Sequence, residues 1–278
     1  MQSDHITLLL LIVLGFTTHQ GLTRYGVMAK YRFSSEAIRL RRQWVRLVSP
    51  AFLHANWGHF ASNAITLFFF GRGLERAFGP DMLLGVFFLS VIGGSGLCLL
   101  LHRKEEYQAL GASGGALGVL FACVFLMPGM SIMLFPLPIP IPAWFYAMGF
   151  LLYTLKGVHS PSGGISHEGH LGGLMSGVLV AWMSRPALVQ SQPVLLVTVL
   201  ALSGAGVWYF HANPGRVPGF LRWHVREKVN AYKQKRSQDQ ALHVDALLDK
   251  VAEKGLHSLT DRERKALEDA SKQRRGGR

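Results

Sequence analysis

The sequence contains few charged residues and few cysteines. Only 16% of its 278 residues are charged, whereas 49% are hydrophobic, and the mean hydropathy is +0.24. A soluble domain of this length needs a more polar surface, so the composition indicates a membrane protein. The two cysteines, Cys98 and Cys123, both fall in apolar stretches, which disfavours a disulfide framework and a cysteine metal site. We expect both to be buried packing residues.

Acidic residues are scarcer than basic ones, and the basic residues are unevenly placed. The chain has 16 Asp and Glu against 29 Lys and Arg, a net charge of +13. Sixteen of the 29 follow Phe210, and seven lie between the first two apolar stretches. A basic tail favours anionic lipid headgroups or an acidic protein partner. Nothing in it resembles a nucleic-acid-binding module, so we expect no nucleic-acid partner.

Seven apolar stretches approach the roughly 20 residues that a membrane-spanning helix needs. No cluster of positive residues precedes the first, and no clean small-residue cleavage site follows it, so we interpret it as a retained helix. The predicted fold is all-α and polytopic, a six-helix bundle with a seventh transmembrane helix. The predicted spans are Ile6–Leu22, Ala51–Phe70, Met82–His102, Ser113–Leu134, Ala143–Leu155, Ser166–Trp182 and Pro193–Phe210.

The chain divides into three predicted parts: a transmembrane core over 1–190, an extra transmembrane helix over 191–211 and a basic, partly helical soluble tail over 212–278. In the tail, Gly255 is a helix stop, and Thr260 and Glu263 have the spacing of a capping box. These signals predict a small helical hairpin, and a solvated tail with transient helices stays open as the alternative.

Polar side chains occur where lipid-facing residues are expected, and each such residue is a candidate for function. The second span opens with HANWGHFASN, in which His59 and Asn63 share a helical face. The sixth opens with SHEGHLGGLMSG, in which His170 shares a face with the glycines that let another helix approach most closely. The stretch GASGGALG places Ser113 at the start of the fourth span.

Topology brings three of these residues together. Asn63, Ser113 and His170 lie near the N-termini of spans two, four and six, and all even-numbered spans start on the same side of the membrane. A serine becomes a nucleophile when a histidine takes its proton. Asn63 and backbone N–H groups of the turn from Gly111 through Ala112 to Ser113 are then suited to stabilise an oxyanion. Spans two, four and six contain no aspartate, so we expect a Ser-His dyad.

At these residues the sequence resembles the rhomboid family of intramembrane serine proteases. The resemblance covers roughly residues 44–182, and its separate motifs occur in the family's order. It implies that Ser113 is the nucleophile and His170 the base, that His59 and Asn63 line the oxyanion site, and that Glu75 is a structural glutamate. The motifs are WVR, HANWGHFASN, GRGLERAFG, GASGGALG and GHLGGLMSG.

The resemblance also implies how such a protein works. It implies a rhomboid-like six-helix core with a water-filled cavity that opens toward the extracytoplasmic side. It implies cleavage of single-span membrane proteins near the ends of their helices, without a cofactor or metal. We expect a multi-pass protein of the bacterial inner membrane. The tail resembles a segment that follows the core in some bacterial rhomboids.

Two features depart from the family pattern. Many rhomboids carry an aromatic residue four positions after the serine, where it stacks on the catalytic histidine, and this chain has Leu117 there. In addition, the loops on the predicted active-site side carry ten Lys and Arg, against three on the other side. The positive-inside rule would place that side in the cytoplasm. We expect the family orientation, because the first loop is long and predicted to be partly embedded.

Several alternatives stay open. We expect His54 to be structural, with hydrogen bonds inside the first loop, and Glu168 to cap the sixth span together with His167. A metal site built from histidines is disfavoured, because no HExxH pair or inward carboxylate cluster accompanies them. The rival functions are an inactive rhomboid-like adaptor that binds membrane helices, and a transporter. A transporter predicts two similar halves, and we find no repeat.

Overall fold

The computed structural model describes residues 4–133, 139–159, 165–213, 244–264 and 266–267. Its transmembrane part is helical, with two short two-stranded sheets. The helices are α1 His5–Thr23, α2 Val27–Tyr31, α3 Ser35–Arg41, α4 Trp57–Thr66, α5 Arg72–Phe78, α6 Pro80–Leu101, α7 Ser113–Leu126, α8 Ala143–His159, α9 His167–Ser184, α10 Pro186–Gln190 and α11 Pro193–Ala212.

Length and apolarity identify the membrane helices. Helices α1, α6 and α11 are each long and apolar enough to cross a bilayer. Helices α4 and α5 continue into each other through a π-helical segment, Leu67–Gly71, and so form the second predicted span. The predicted all-α, polytopic fold is confirmed, and five of the seven predicted spans agree with helices to within four residues at each end. The second span was predicted over Ala51–Phe70 and instead runs from Trp57 to Phe78.

The fourth predicted span is shorter than expected. It was predicted over Ser113–Leu134, but α7 ends at Leu126, because Pro128 cannot continue a helix and Gly129 adopts a positive φ of 90°. Fourteen residues rise only about 21 Å, less than the roughly 30 Å hydrocarbon core. A helix of this length cannot reach both surfaces, so a residue at one of its ends lies below the surface.

Helix α7 is the central helix of the bundle. Every residue from Gly115 to Leu126 is buried. The sequence predicted that the glycines of span six lie where another helix comes closest, and this is confirmed. A Cβ at Gly173 would overlap the Gly114 carbonyl oxygen, and a Cβ at Gly172 would lie 2.7 Å from the Gly93 carbonyl oxygen. Small residues thus bring α9 against both α6 and α7.

The first loop is held to the segment that leads into α7. Strand β1, Phe33–Ser34, pairs antiparallel with β2, Gln108–Ala109. The sequence did not predict these strands, because two residues are too few to show an alternating pattern. A second unpredicted pair, β3 Ser131–Met133 with β4 Pro140–Pro142, follows α7.

Glu75 fixes the start of α1. Its carboxylate accepts hydrogen bonds from the backbone N–H groups of Ile6 and Thr7, at 2.9 and 2.8 Å, and from the Thr7 hydroxyl at 2.6 Å. The first N–H groups of a helix have no acceptor within the helix. Glu75 supplies that acceptor from α5, which gives this buried carboxylate a structural role.

The tail forms a separate compact unit within 222–278. A helix over 244–254 ends at Gly255, whose φ is 76°. The predicted capping box is confirmed, since Thr260 N donates to Glu263 Oε2 at 2.8 Å and Glu263 N donates to Thr260 Oγ1 at 3.4 Å. Lys250 pairs with Glu263 at 2.9 Å, which ties the helix to the capping box.

Candidate active site

Ser113 is the first residue of α7 and follows a sharply fixed turn. Gly111 has a φ of 123°, which residues with a Cβ rarely adopt. Its N–H donates to the Pro50 carbonyl at 2.9 Å, and the Ala112 N–H donates to His54 Nε2 at 3.3 Å. These bonds hold the turn in place. Two of the three predicted backbone oxyanion donors, Gly111 and Ala112, are therefore engaged by other acceptors in this structure.

His54 connects the turn to α1. Its Nδ1 lies 2.7 Å from the Thr18 hydroxyl, and its Nε2 accepts the bond from Ala112. The ring is fully buried. The prediction that His54 bonds within the first loop is therefore wrong about its partners, which lie in α1 and in the turn before α7. One imidazole bonds both the Thr18 hydroxyl and the Ala112 N–H, because in a neutral imidazole one ring nitrogen donates and the other accepts.

His59 lies directly against Gly111. A Cβ at residue 111 would be 2.6 Å from His59 Cε1 and 2.8 Å from Nε2. The absence of a side chain at Gly111 thus allows the imidazole of α4 to approach the turn that carries Ser113. The His59 ring also meets the His54 ring edge to face, with 5.2 Å between centroids.

The predicted site residues that act through their side chains line one cavity of about 260 Å³, whereas the backbone donors Gly111 and Ala112 are not among its lining residues. Helix α4 contributes His59 and Asn63, α7 contributes Ser113 and Leu117, and α9 contributes His170. Helix α8 also contributes to the lining. The convergence that the alternating direction of the spans predicts is thus present, and the catalytic roles of these residues stay predictions. The other lining residues are Ser62, Thr66, Ala116, Phe150, Tyr153 and Ile165.

Asn63 and His170 are both buried in this cavity. Asn63 Nδ2 donates to the His59 carbonyl at 3.0 Å, and an amide has a second N–H to offer. Within the described part of the chain, His170 Nδ1 is buried and has no hydrogen-bond partner. The His170 ring meets the His167 ring edge to face at 5.8 Å. His167 thus supplies an aromatic neighbour that Leu117 does not.

Glu168 lies in the first turn of α9, as predicted, but the capping hydrogen bond is made by another side chain. The N-cap of α9 is Ser166, whose hydroxyl accepts from Gly169 N at 3.2 Å. The Glu168 carboxylate instead bonds His102 Nε2 at 2.6 Å. Residues 168 and 170 face different sides of the helix, so the carboxylate points away from the cavity. The sequence could not predict this pairing because His102 and Glu168 are 66 residues apart.

Comparison with known proteins agrees with this arrangement. The Rhomboid domain family matches residues 41–187, more than half of the 278-residue chain. The chain belongs to the rhomboid family. It is a multi-pass membrane protein of a family that includes proteases. A second family, of unknown function (DUF6576), matches residues 225–273, within the basic tail of this rhomboid.

Curated relatives of this rhomboid come from bacteria and organelles. Rhomboid protein 1, mitochondrial, of Saccharomyces cerevisiae is 28% identical over 187 residues, covering 64% of this chain and 52% of that protein. RHOMBOID-like protein 12, mitochondrial, of Arabidopsis thaliana is 30% identical over 152 residues, covering 49% and 45%. Rhomboid protease AarA of Providencia stuartii is 27% identical over 190 residues, covering 60% and 65%. The chain thus spans about half to two thirds of these relatives.

Proposed function

We propose that this rhomboid is an intramembrane serine endopeptidase that cleaves single-span membrane proteins with a dyad of Ser113 and His170. The observation that carries the proposal is the shared cavity, in which a serine at a helix N-terminus, a buried histidine and a buried asparagine meet. Fold membership alone would not support an activity. The set of side chains does, because each one has a role in acyl transfer.

In the proposed reaction, the Ser113 hydroxyl attacks the peptide carbonyl while His170 takes its proton. His170 then gives that proton to the leaving amine, and water releases the acyl group from Ser113 in the reverse sequence of proton transfers. The unpartnered Nδ1 of His170 supports a dyad, since a triad would place a carboxylate at that nitrogen. The proposed reaction uses only these side chains and water, and no cofactor.

The oxyanion is stabilised in this proposal by donors on two helices. Asn63 has one N–H engaged by the His59 carbonyl and one left to donate. The His59 ring lies against Gly111, beside the turn where the oxyanion forms. The Ser113 N–H starts α7 and has no acceptor within that helix by position. The N–H groups of Gly111 and Ala112 then fix the turn through their present hydrogen bonds. Alternatively, they donate to the oxyanion after those bonds break.

Orientation in the membrane also belongs to the proposal. We place the protein in a bacterial inner membrane with the cavity toward the extracytoplasmic side, as the family resemblance implies. A cavity lined by Leu100–Glu105, Phe210 and His211 brings the C-terminal ends of α6 and α11 together, so the chain leaves α11 at the active-site end. An impermeant thiol reagent applied to intact cells tests this on the Lys104→Cys variant. Labelling supports the orientation, and labelling only after lysis contradicts it.

The basic tail then begins near that membrane surface. Sixteen Lys and Arg follow Phe210, and each basic residue near an anionic surface contributes about 1 kcal/mol of attraction. We propose anionic lipid headgroups as its partner, with an acidic protein as the alternative. Binding of the full chain in nanodiscs to anionic and to neutral vesicles distinguishes the two.

Cleavage of a model single-span substrate in liposomes tests the activity. We expect the parent to cleave, and Ser113→Ala and His170→Ala to lose cleavage while retaining the parent's unfolding temperature. Equal cleavage by Ser113→Ala would contradict the mechanism. Binding of the substrate without cleavage by the parent would instead support the adaptor alternative, with Leu117 the first departure to examine.

A further inference from the structure

A buried polar cluster lies outside the catalytic cavity. His102, directly after α6, bonds Glu168 through Nε2 at 2.6 Å and Glu105 through Nδ1 at 2.9 Å. The side chains of His102 and Glu168 are only 2% and 4% exposed. Burying an ionisable pair is costly, and apolar residues of similar size would hold helices together as well. The pair therefore calls for a reason other than stability.

Tyr107 connects this pair to the segment that carries the nucleophile. The Tyr107 ring stacks on the His102 ring, with 3.8 Å between centroids and 3° between planes. Its backbone is fixed to the first loop, since its N–H donates to Ser35 Oγ at 2.8 Å and its carbonyl accepts from Ser35 N at 3.0 Å. Tyr107 immediately precedes β2, which leads through the turn to Ser113.

The other side of the pair belongs to the helix that carries the base. Glu168 lies in the first turn of α9, two residues before His170. The Ser166 hydroxyl that caps this helix also contacts Cys98 Sγ of α6 at 3.3 Å. The cluster thus joins the start of α9 to the end of α6 and, through Tyr107, to the strand before the nucleophile.

We propose that His102 and Glu168 form a positioning pair that sets the distance between His170 and Ser113. The inference rests on the proposed protease function. The pair does not touch the substrate. It acts because the start of α9 and the approach to α7 are both held to the same imidazole, so a change in its charge is transmitted to both catalytic residues. A displacement of about 1 Å in such a dyad costs on the order of 100-fold in rate.

The charge of the imidazole depends on every group around it. Burial lowers the pKa of His102, and Glu168, followed by Glu105, raises it by more, so the pKa of His102 lies above the ordinary 6.5. Tyr107 stacks on the ring. The other titratable and charged groups nearby are Cys98 of α6, Arg103 and Lys104 of the following loop and His211 of α11.

The sign of the pH dependence follows from the raised pKa of His102. The ion pair is complete below about pH 6.5, the ordinary value, and is lost as the pH rises through the raised pKa. The predicted kcat profile therefore has a falling alkaline limb. The acid limb arises separately, because the catalytic base has to be neutral.

The experiment compares kcat, KM and their pH profiles for the parent, Glu168→Gln, His102→Gln and the double variant in liposomes. Each single variant should lower kcat about 10- to 100-fold, leave KM unchanged and lack the alkaline limb. The double variant restores a neutral hydrogen-bonded pair, and should recover part of kcat with no alkaline limb. The matched controls Glu253→Gln and His257→Gln, both exposed in the tail, should behave as the parent.

A second measurement does not depend on proteolysis. In a Ser113→Ala background, the unfolding temperature should fall as the pH rises above 6.5, and His102→Gln should remove that fall. Single variants that keep the parent's alkaline limb, or that raise KM and leave kcat unchanged, would overturn the proposal. If the parent does not cleave, the proposed function is wrong. The pH dependence of the unfolding temperature then tests the positioning pair on its own. Identical profiles with and without His102→Gln would then overturn the positioning pair.

Discussion

Gly173 of α9 lies against Gly114 of α7 so closely that a Cβ at residue 173 would overlap the Gly114 carbonyl oxygen. Gly114 follows Ser113 directly, and Gly173 is three residues after His170 on the same helical face. The close approach of these two backbones therefore brings Ser113 and His170, the proposed nucleophile and base, into one cavity. In the proposed function, glycine packing and catalysis are linked, because the close packing of α7 and α9 is what places the two proposed catalytic residues together.

Gly173→Ala tests this relationship. The added methyl group has to push α9 away from α7, so we expect the variant to be destabilised by about 1–3 kcal/mol and to lose most of its cleavage. The control is Gly96→Ala in α6, where a Cβ meets no atom within 4 Å. Thermal unfolding and substrate cleavage are measured on both. Parent-like behaviour of Gly173→Ala would show that this contact does not set the site.

Asn63→Ala tests the oxyanion donor. Loss of one such donor typically lowers kcat by about 100- to 1000-fold, and we expect that range with little change in KM, since the interaction strengthens only in the transition state. Asn213→Ala, at the end of α11, is the matched control. Steady-state kinetics on a fluorogenic single-span substrate provide the measurement. A change in KM alone would assign Asn63 to substrate binding.

Glu75→Gln tests the attachment of α1. The amide retains one acceptor for the three donors that the carboxylate now satisfies, so we expect a loss of about 1–3 kcal/mol in unfolding free energy. Cleavage per folded molecule should change little, because Glu75 lies at the opposite end of the α4–α5 helix from His59. An unchanged unfolding temperature would contradict the capping role.

Glu263 makes the stability of the capping box in the tail depend on pH. The Thr260 N–H, the Lys250 ammonium and the Thr260 hydroxyl lower the pKa of Glu263 from 4.5 to about 2. A depressed pKa means that the capping box contributes its full stability above pH 4.5 and loses it as the pH falls toward 2. Amide exchange of residues 256–264, corrected for intrinsic rates, should rise over that range in the full chain. Glu263→Gln should show the faster exchange already at neutral pH.

The sequence predicted those features that follow from periodicity and topology. The spans follow from runs of apolar residues, and the meeting of Asn63, Ser113 and His170 follows from the alternating direction of antiparallel helices. The capping box of Thr260 and Glu263 is a local signal four residues long, and it too is present in the structure.

Features that depend on distant partners could not be predicted. His102 and Glu168 are separated by 66 residues, and the sequence around neither residue predicts the other as its partner. The first turn of a helix favours acidic residues for electrostatic reasons, and this predicted the position of Glu168 in α9 but not its bond to His102. Similarly, His54 bonds to Thr18 and Ala112 across the bundle, and only the folded chain brings these groups together.

The most direct test of the central claim is covalent labelling of Ser113 with a fluorophosphonate, followed by peptide mass spectrometry. The probe reacts with a serine whose proton is taken by a neighbouring base. We predict an adduct on Ser113 in the parent and none at that residue in His170→Ala. Both proteins should have the same unfolding temperature. An unmodified Ser113 in the folded parent, or equal labelling in His170→Ala, would contradict a serine activated by His170.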